Sequence, residues 1–329
     1  MKFGKEYIIP IVIIVILLAY LIFSGGQNKM SYEVPEMEKI EENEVNRIVI
    51  TQGDDKIVLK KFKEGWKIMP QEYPANEDKV TRMMTVIKDL SITELTSKKK
   101  DYQRYELDKD NKINVKAFKD DEILREFDIG KISPTYSHTF IKLADDLNVY
   151  SARESFRNDF DVEIEELRNK EVLAFDRNEI SKIQIAGKDE IYQFEKKIHT
   201  IEKEVEGGPE EKVKEKPKVY KDEDGWLTPD GEVGSKSEIE SFLSRLFSLT
   251  CDSFIEEKNK DDFKEPVFEI ILKGAKDYSL KIFEKQEKDG GKYPAVSSES
   301  EYSFLLSTYN AEDLMKKKDD FLKKEEKSK

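Results

Sequence analysis

The sequence predicts an α+β protein. It reads as an N-terminal transmembrane helix followed by two tandem repeats, each a mainly antiparallel sheet with one packed helix. Three observations carry this reading. Residues 7–28 form a window of 22 residues without a charged side chain. Two later stretches carry apolar residues at helical spacing, amid segments that alternate at the period of a strand. The order of these patterns then recurs in the second half of the chain.

The composition narrows the chemistry. The 329 residues suit about two domains. A formal charge of −13 makes the chain a poor general ligand for nucleic acid, whose affinity rests on Lys and Arg meeting phosphates. One cysteine, Cys251, forbids an internal disulfide and any multi-cysteine metal site. Two histidines, His138 and His199, leave no His-rich metal cluster. No cofactor or metal is expected. A hydrophobic content of 37% is low for a two-domain protein, so its distribution matters more than its mean.

The chain opens with a short flank, residues 1–6, expected in the cytoplasm. The run Ile8–Phe23 is almost wholly apolar. A helix over 7–23 with its uncharged flank is long enough for a bilayer core of about 30 Å. The run exceeds the ~7–15 apolar residues of a cleaved signal and lacks a clear A-x-A site. The expected partner of this segment is therefore the lipid bilayer, with the bulk of the chain periplasmic or extracellular. Residues 24–43, rich in Gly, Ser, Pro and Glu, read as a tether.

The first repeat is expected over 44–160 and the second over 178–315, joined by a connector at 161–177. Val45, Ile48 and Ile50 recur as Ile180, Ile183 and Ile185. Ile57 and Leu59 recur as Tyr192 and Phe194. Each copy has a Gly-Trp pair, Gly65-Trp66 and Gly225-Trp226, with Pro70 or Pro229 beyond it. Then comes a helical stripe: Val80, Met83, Met84, Ile87, Leu90 in one copy, and Ile239, Phe242, Leu243, Leu246, Leu249 in the other. Both have spacings of 3, 1, 3 and 3, which place one stripe on one helix face. Further on, Ile113, Val115 and Ala117 match Phe268, Ile270 and Leu272. Phe127 matches Ile282, and Ile141 matches Val296. Leu147, Val149 and Tyr150 match Tyr302, Phe304 and Leu305.

In the first copy, strands are predicted over 46–51, 56–62 and 65–69. A helix follows over about 76–90, with Asn76 as N-cap. More strands are predicted near 92–97, 112–118, 123–130, 137–143 and 147–151, and a short helix near 153–160. The second copy has its helix over about 236–249, capped by Ser235, and a closing helix near 310–318. Short turns between strands argue for antiparallel pairing. The charged insertion 196–221 alternates around Gly207-Gly208-Pro209 and reads as an extended hairpin or a loop, with His199 on its surface. Gly290-Gly291 reads as a hairpin turn. The tail 316–329 is Lys-rich.

The stretch Gly65–Val80, with Gly65-Trp66, Pro74-Ala75 and Lys79-Val80, resembles a motif of a large bacterial family, domain of unknown function 4340. Tyr105-Glu106-Leu107-Asp108, Ile129-Gly130 before Ser133-Pro134, and Leu167-Arg168-Asn169-Lys170 running to Phe175-Asp176 resemble its later features. The likeness covers about 40–315. It implies an extracytoplasmic, membrane-tethered bacterial protein. Members are often encoded beside ABC-type transporters of the gliding-motility auxiliary type. The family brings no established catalytic residues. The second copy keeps Gly225-Trp226 without the Pro-Ala and Lys-Val elements.

No catalytic residue is assigned. His138 with Ser133 and Ser137 is the one arrangement that permits a Ser/His/Asp triad, and no Gly-x-Ser-x-Gly elbow accompanies it. Asp108-x-Asp110 has Lys112 at the third position of a calcium loop, so it reads as a turn. Lys98-Lys99-Lys100 reads as a solvated loop rather than a lipid contact. Trp66 and Trp226 are the candidate residues. They read as core-edge covers, or alternatively as platforms for a partner. Cys251 reads as a small buried hydrophobe. The expected function is a non-catalytic accessory or scaffold, an auxiliary of an ABC-type transporter or a cell-envelope complex, with a membrane-protein or envelope partner. The alternative is an envelope glycan-acting hydrolase working through carboxylates, or a glycan-binding module.

Overall fold

The computed structural model describes residues 14–19, 34–204, 218–287 and 290–323, with backbone alone at 199–204 and 218–224. The chain divides into two compact units, Met1–Asn169 and Lys170–Lys329.

In the first unit, alternation builds the strands. Ile48 and Ile50 of β1 (Arg47–Gln52) face Leu59 and Ile57 of β2 (Asp55–Phe62), all buried. Then follow β3 (Gly65–Met69), β4 (Tyr73–Pro74), helix α1 (Glu77–Lys88) and β5 (Ile92–Ser97). The rest of the sheet is β6 (Ile113–Lys119), β7 (Glu122–Ile132), β8 (His138–Leu143) and β9 (Val149–Arg153). The strand order is β4-β3-β2-β1-β6-β7-β8-β9-β5, antiparallel throughout. Helix α1 thus links the β4 edge to a strand at the opposite edge. Its stripe Val80, Met83, Met84 and Ile87 is buried in the core that holds Ile48, Leu59 and Val115. Each such side chain contributes about 1.5–3 kcal/mol on burial. Asn76 caps the helix, its Oδ1 accepting from Lys79 N at 3.0 Å.

Two short helices close the unit, α2 (Arg157–Phe160) and α3 (Ile164–Leu167). Beyond them the chain returns to the sheet edge. Asn76 N donates to Leu167 O (2.7 Å) and Asn169 N to Pro74 O (2.8 Å). The first residues of the expected connector are therefore part of the first unit. At the other end, Met37 and Ile40 of the expected tether pack against the same core.

The second unit opens with β10 (Glu171–Leu173). Its sheet then forms from β11 (Lys182–Gly187), β12 (Ile191–Glu204) and β13 (Lys218–Leu227). Helix α4 (Lys236–Leu246) and the short β14 (Leu249–Thr250) and β15 (Ser253–Phe254) come next. Then follow β16 (Phe268–Lys273), β17 (Asp277–Ile282), β18 (Tyr293–Ser297), β19 (Phe304–Leu306), α5 (Thr308–Leu314) and α6 (Lys318–Phe321). β10 and β14 form a small separate sheet; the main one runs β13-β12-β11-β16-β17-β18-β19-β15. This is the strand order of the first sheet without its β4 edge.

Registers coincide as well. Ile183 faces Phe194 and Leu272, as Ile48 faces Leu59 and Ala117. Beyond β6 and β16 the sequence alignment slips. Val115 faces Phe127 while Ile270 faces Leu280, so Phe127 corresponds to Leu280 and not to Ile282. Tyr150 likewise corresponds to Phe304, since Ile141–Tyr150 matches Ala295–Phe304. The β6–β7 connection carries a bulge at Ala117/Phe118 that the β16–β17 turn lacks. Of the hairpin and the loop that the insertion allowed, the described backbone forms the hairpin, with Glu204 opposite Lys218; residues 205–217 lie outside the described residues.

The α+β assignment is corrected. The described residues are mostly antiparallel β in three sheets, with few helices. One three-turn helix per unit crosses the apolar face of a sheet of eight or nine strands, and the later α-helices of the described residues have four to seven residues. The helical stripes are conspicuous in sequence because period-two segments are short and spread over many strands. The transmembrane helix is corrected too. Among the described residues no helix is long and apolar enough to cross a membrane. Residues 14–19 are helical. The remainder of 7–23 lies outside the described residues, as do 24–33 and 324–329.

Candidate functional site

Trp66 and Trp226 occupy matching places, and both are buried, at 6% and 2% exposure. Backbone hydrogen bonding fixes the first. Trp66 N donates to Glu77 Oε1 at 2.9 Å, and Ala75 N donates to Trp66 O at 2.8 Å. Gly65 sits at φ +123°, and a Cβ there would lie 2.4 Å from Glu77 Oε1. The φ value, which side chains rarely allow, is why a glycine precedes the tryptophan. A lysine covers each ring: Lys61 Nζ lies 5.9 Å from the Trp66 centroid, and Lys196 Nζ 5.4 Å from that of Trp226. Both lysines are the cross-strand neighbours of their tryptophans. Burial and the lysine covers make the pair parts of the two cores rather than open platforms.

The motif segments of the first unit converge in space. Pro74-Ala75-Asn76 pairs with Leu167-Arg168-Asn169, and the Arg168 guanidinium stacks 3.7 Å over Tyr73. Gly130 packs on the Tyr105–Leu107 turn so closely that a Cβ would lie 2.2 Å from Tyr105 O. Sequence distance hides both contacts.

The other sequence candidates settle as follows. Ser137 Oγ lies 3.0 Å from His138 Nδ1, and Thr135 Oγ1 links Ser137 Oγ (2.8 Å) to Ser133 Oγ (3.1 Å). This chain runs from hydroxyl to hydroxyl to imidazole, with no carboxylate among its members. Asp108 Oδ1 accepts from Asp110 N and Asn111 Nδ2, as a turn aspartate does. Cys251 is buried in the second core. Lys98-Lys99-Lys100 is exposed after β5. The side chain of His199 lies outside the described residues. Among the described residues, no group of three or more His, Cys, Asp or Glu is placed to hold a metal.

One charged group is buried for structure. Arg125 on β7 donates to Ile87 O and Glu38 O, and to Lys88 O at 3.1 Å. It ties the C-terminal end of α1 to the entering chain. Burial pulls its pKa down, opposed by Asp89 and Glu38. The matching position in the second sheet, opposite Leu272, is Tyr278, whose ring lies 5.5 Å from that of Phe175. A polar clamp in one unit is an aromatic contact in the other.

Open concave surface is found at matching positions beside the first hairpin of each unit. In the first unit a groove of about 730 Å³ runs between the β1–β2 turn and the segment around α3. Ile50, Ile57 and Phe160 close its floor, and Val162 and Ile164 line one wall. Asp55, Asp161, Glu163, Glu165 and Glu166 rim it, with Lys56 as the one lysine. In the second unit a groove of about 560 Å³ lies between the β11–β12 turn and residues 315–319. Its rim is balanced: Lys188, Lys285, Lys316 and Lys317 against Asp189, Glu190, Glu284 and Asp319. Sequence reasoning placed 161–167 inside a connector at 161–177 and missed the first groove. The signal was there in the alternation Asp161-Val162-Glu163-Ile164-Glu165, apolar and acidic by turns.

Neither a curated protein nor a solved structure matches the chain. Residues 66–267, well over half of the chain, match the family model described as Domain of unknown function (DUF4340). This chain belongs to the DUF4340 family.

Proposed function

We propose that the chain is a non-catalytic accessory or scaffold protein of the cell envelope. In this reading it is an auxiliary partner of an ABC-type transporter or a related envelope complex, and the bulk of the chain lies outside the cytoplasm. One observation carries the reading: two open grooves at matching places in two similarly built units, with differently charged rims. Two distinct contact surfaces on one chain suit a protein that holds partners. The apolar run Ile8–Phe23 supports association with the membrane.

The test is capture of the full chain, tagged at its C-terminus, after crosslinking in intact membranes. A transporter subunit or an envelope protein is expected to co-purify in stoichiometric amount. If crosslinked membranes return the chain alone, the scaffold reading fails.

A further inference from the structure

We propose that the acidic groove of the first unit docks a short segment of a partner protein in which Lys or Arg alternates with aliphatic residues. The proposal rests on the scaffold reading for the protein class of its partner. Three features of the groove select that chemistry. Its volume, about 730 Å³, falls within the ~300–1,000 Å³ of ligand clefts. Its floor and wall are aliphatic and aromatic, and Ile164 on the wall is 38% exposed although it is a large hydrophobic. Its rim carries five carboxylates and one lysine; arginines already pair with Asp161 and Glu165, so Asp55, Glu163 and Glu166 set the negative surplus against Lys56. A cleft lined by one sign of charge concentrates the opposite sign. An occupant with cations at its edges and aliphatic groups between them relieves the rim and covers the floor together.

Other occupants fit less well. A lone metal ion meets a dispersed rim in which Asp161 already pairs with Arg157 (3.3 Å) and Glu165 with Arg168 (3.4 Å). An anionic lipid headgroup would face repulsion from the rim. The groove of the second unit is an internal comparison. It stands at the same place in its sheet, yet its four lysines cancel its four carboxylates, so the same segment gains nothing from charge there.

The experiment is fluorescence anisotropy with the purified full chain in a neutral detergent. The probe is a labelled octapeptide of alternating Leu and Lys, and the counter-probe alternates Leu and Glu. The Leu-Lys peptide is expected to bind, more weakly as salt rises, and the Leu-Glu peptide not to bind. Asp55→Asn combined with Glu163→Gln is expected to weaken binding by about tenfold. Ile164→Ser is expected to weaken it with the rim intact. Lys188→Ala in the other groove is expected to leave it unchanged. A melting curve for each variant checks folding. Equal binding of both peptides, or binding indifferent to Asp55, Glu163 and Ile164, overturns the proposal. So does a groove that responds to calcium chloride alone and to neither peptide. Failed capture with intact, groove-dependent peptide binding would sink the scaffold reading and leave this proposal standing.

Discussion

Tyr192 shows how a single residue links two segments far apart in sequence. Its ring is buried in the second core, 6.2 Å from Phe194 and 6.0 Å from Phe321, and its hydroxyl donates to Lys316 O at 2.5 Å. Burial raises its pKa well above the ordinary tyrosine range, and the charges of Glu190 and Asp320 push the same way. The neutral form is the one the folded state holds. Stability linked to this group is therefore intact below pH ~10, the unfolded value. It falls as pH rises from there toward the folded pKa, because the unfolded chain releases the proton first. Tyr192→Phe is expected to cost about 0.5–1.5 kcal/mol at neutral pH through the lost hydrogen bond. It is also expected to flatten the alkaline decline, as read by urea titrations between neutral pH and pH 11. An alkaline limb unchanged by the substitution would remove this account. The sequence marked Tyr192 as the counterpart of Ile57, hence as a core residue. It gave no sign that a hydroxyl at that position would meet Lys316, because the carbonyl belongs to a segment that reads as a tail.

At the scale of elements, α1 and α4 carry the same apolar spacing and bury the same stripe, yet their N-termini differ. Asn76 accepts from Lys79 N, while the Ser235 side chain makes no capping bond and instead lies 3.0 Å from Ser237 Oγ. Asn76→Ala is expected to destabilise the first unit by about 1 kcal/mol. Ser235→Ala should cost the second unit clearly less, as read by thermal melts of the two variants. Equal losses would mean that the capping bond does not set the difference. Both helices were legible because a helical period can be read within a dozen residues. Their caps were named correctly by position, but only the packed structure separates a cap that bonds from one that does not. The same limit applies to strands. Alternation located β1, β2 and β6 and matched Ile48 with its counterpart Ile183, which has the equivalent place in its sheet. It misassigned Phe127 and Tyr150 against the second unit, because the path from Val115 to its partner Phe127 is two residues longer than that from Ile270 to Leu280, and the bulge at Ala117/Phe118 supplies one of them.

For the whole molecule, two cores are built from separate sets of residues. Phe127 is fully buried in the first and Phe304 in the second. Phe127→Ala is expected to remove about 3–5 kcal/mol from its own unit. In calorimetry this should lower one transition and leave the enthalpy of another in place. A single transition that shifts as a whole would show that the units unfold together. The low hydrophobic content fits this plan. Two sheets each bury one face, while the other carries charge ladders such as Lys116–Glu126 (2.9 Å) and Lys281–Glu269 (3.3 Å).

The residues alone left the tryptophans open between core covers and partner platforms, and showed the alternation of β1 and β2, the helical stripe of each unit and the family likeness. These follow from periods and motifs set by neighbours a few residues apart, which backbone geometry reads directly. Only the tertiary structure decided the balance toward β, the pairing of β5 with β9 across the far edge, the clamp of Arg125 on α1, and the return of 161–169 to the first sheet. It also decided the groove, whose walls lie about a hundred residues apart in the chain. Such contacts depend on which surfaces remain unburied once the local elements have formed, and no local period encodes that remainder.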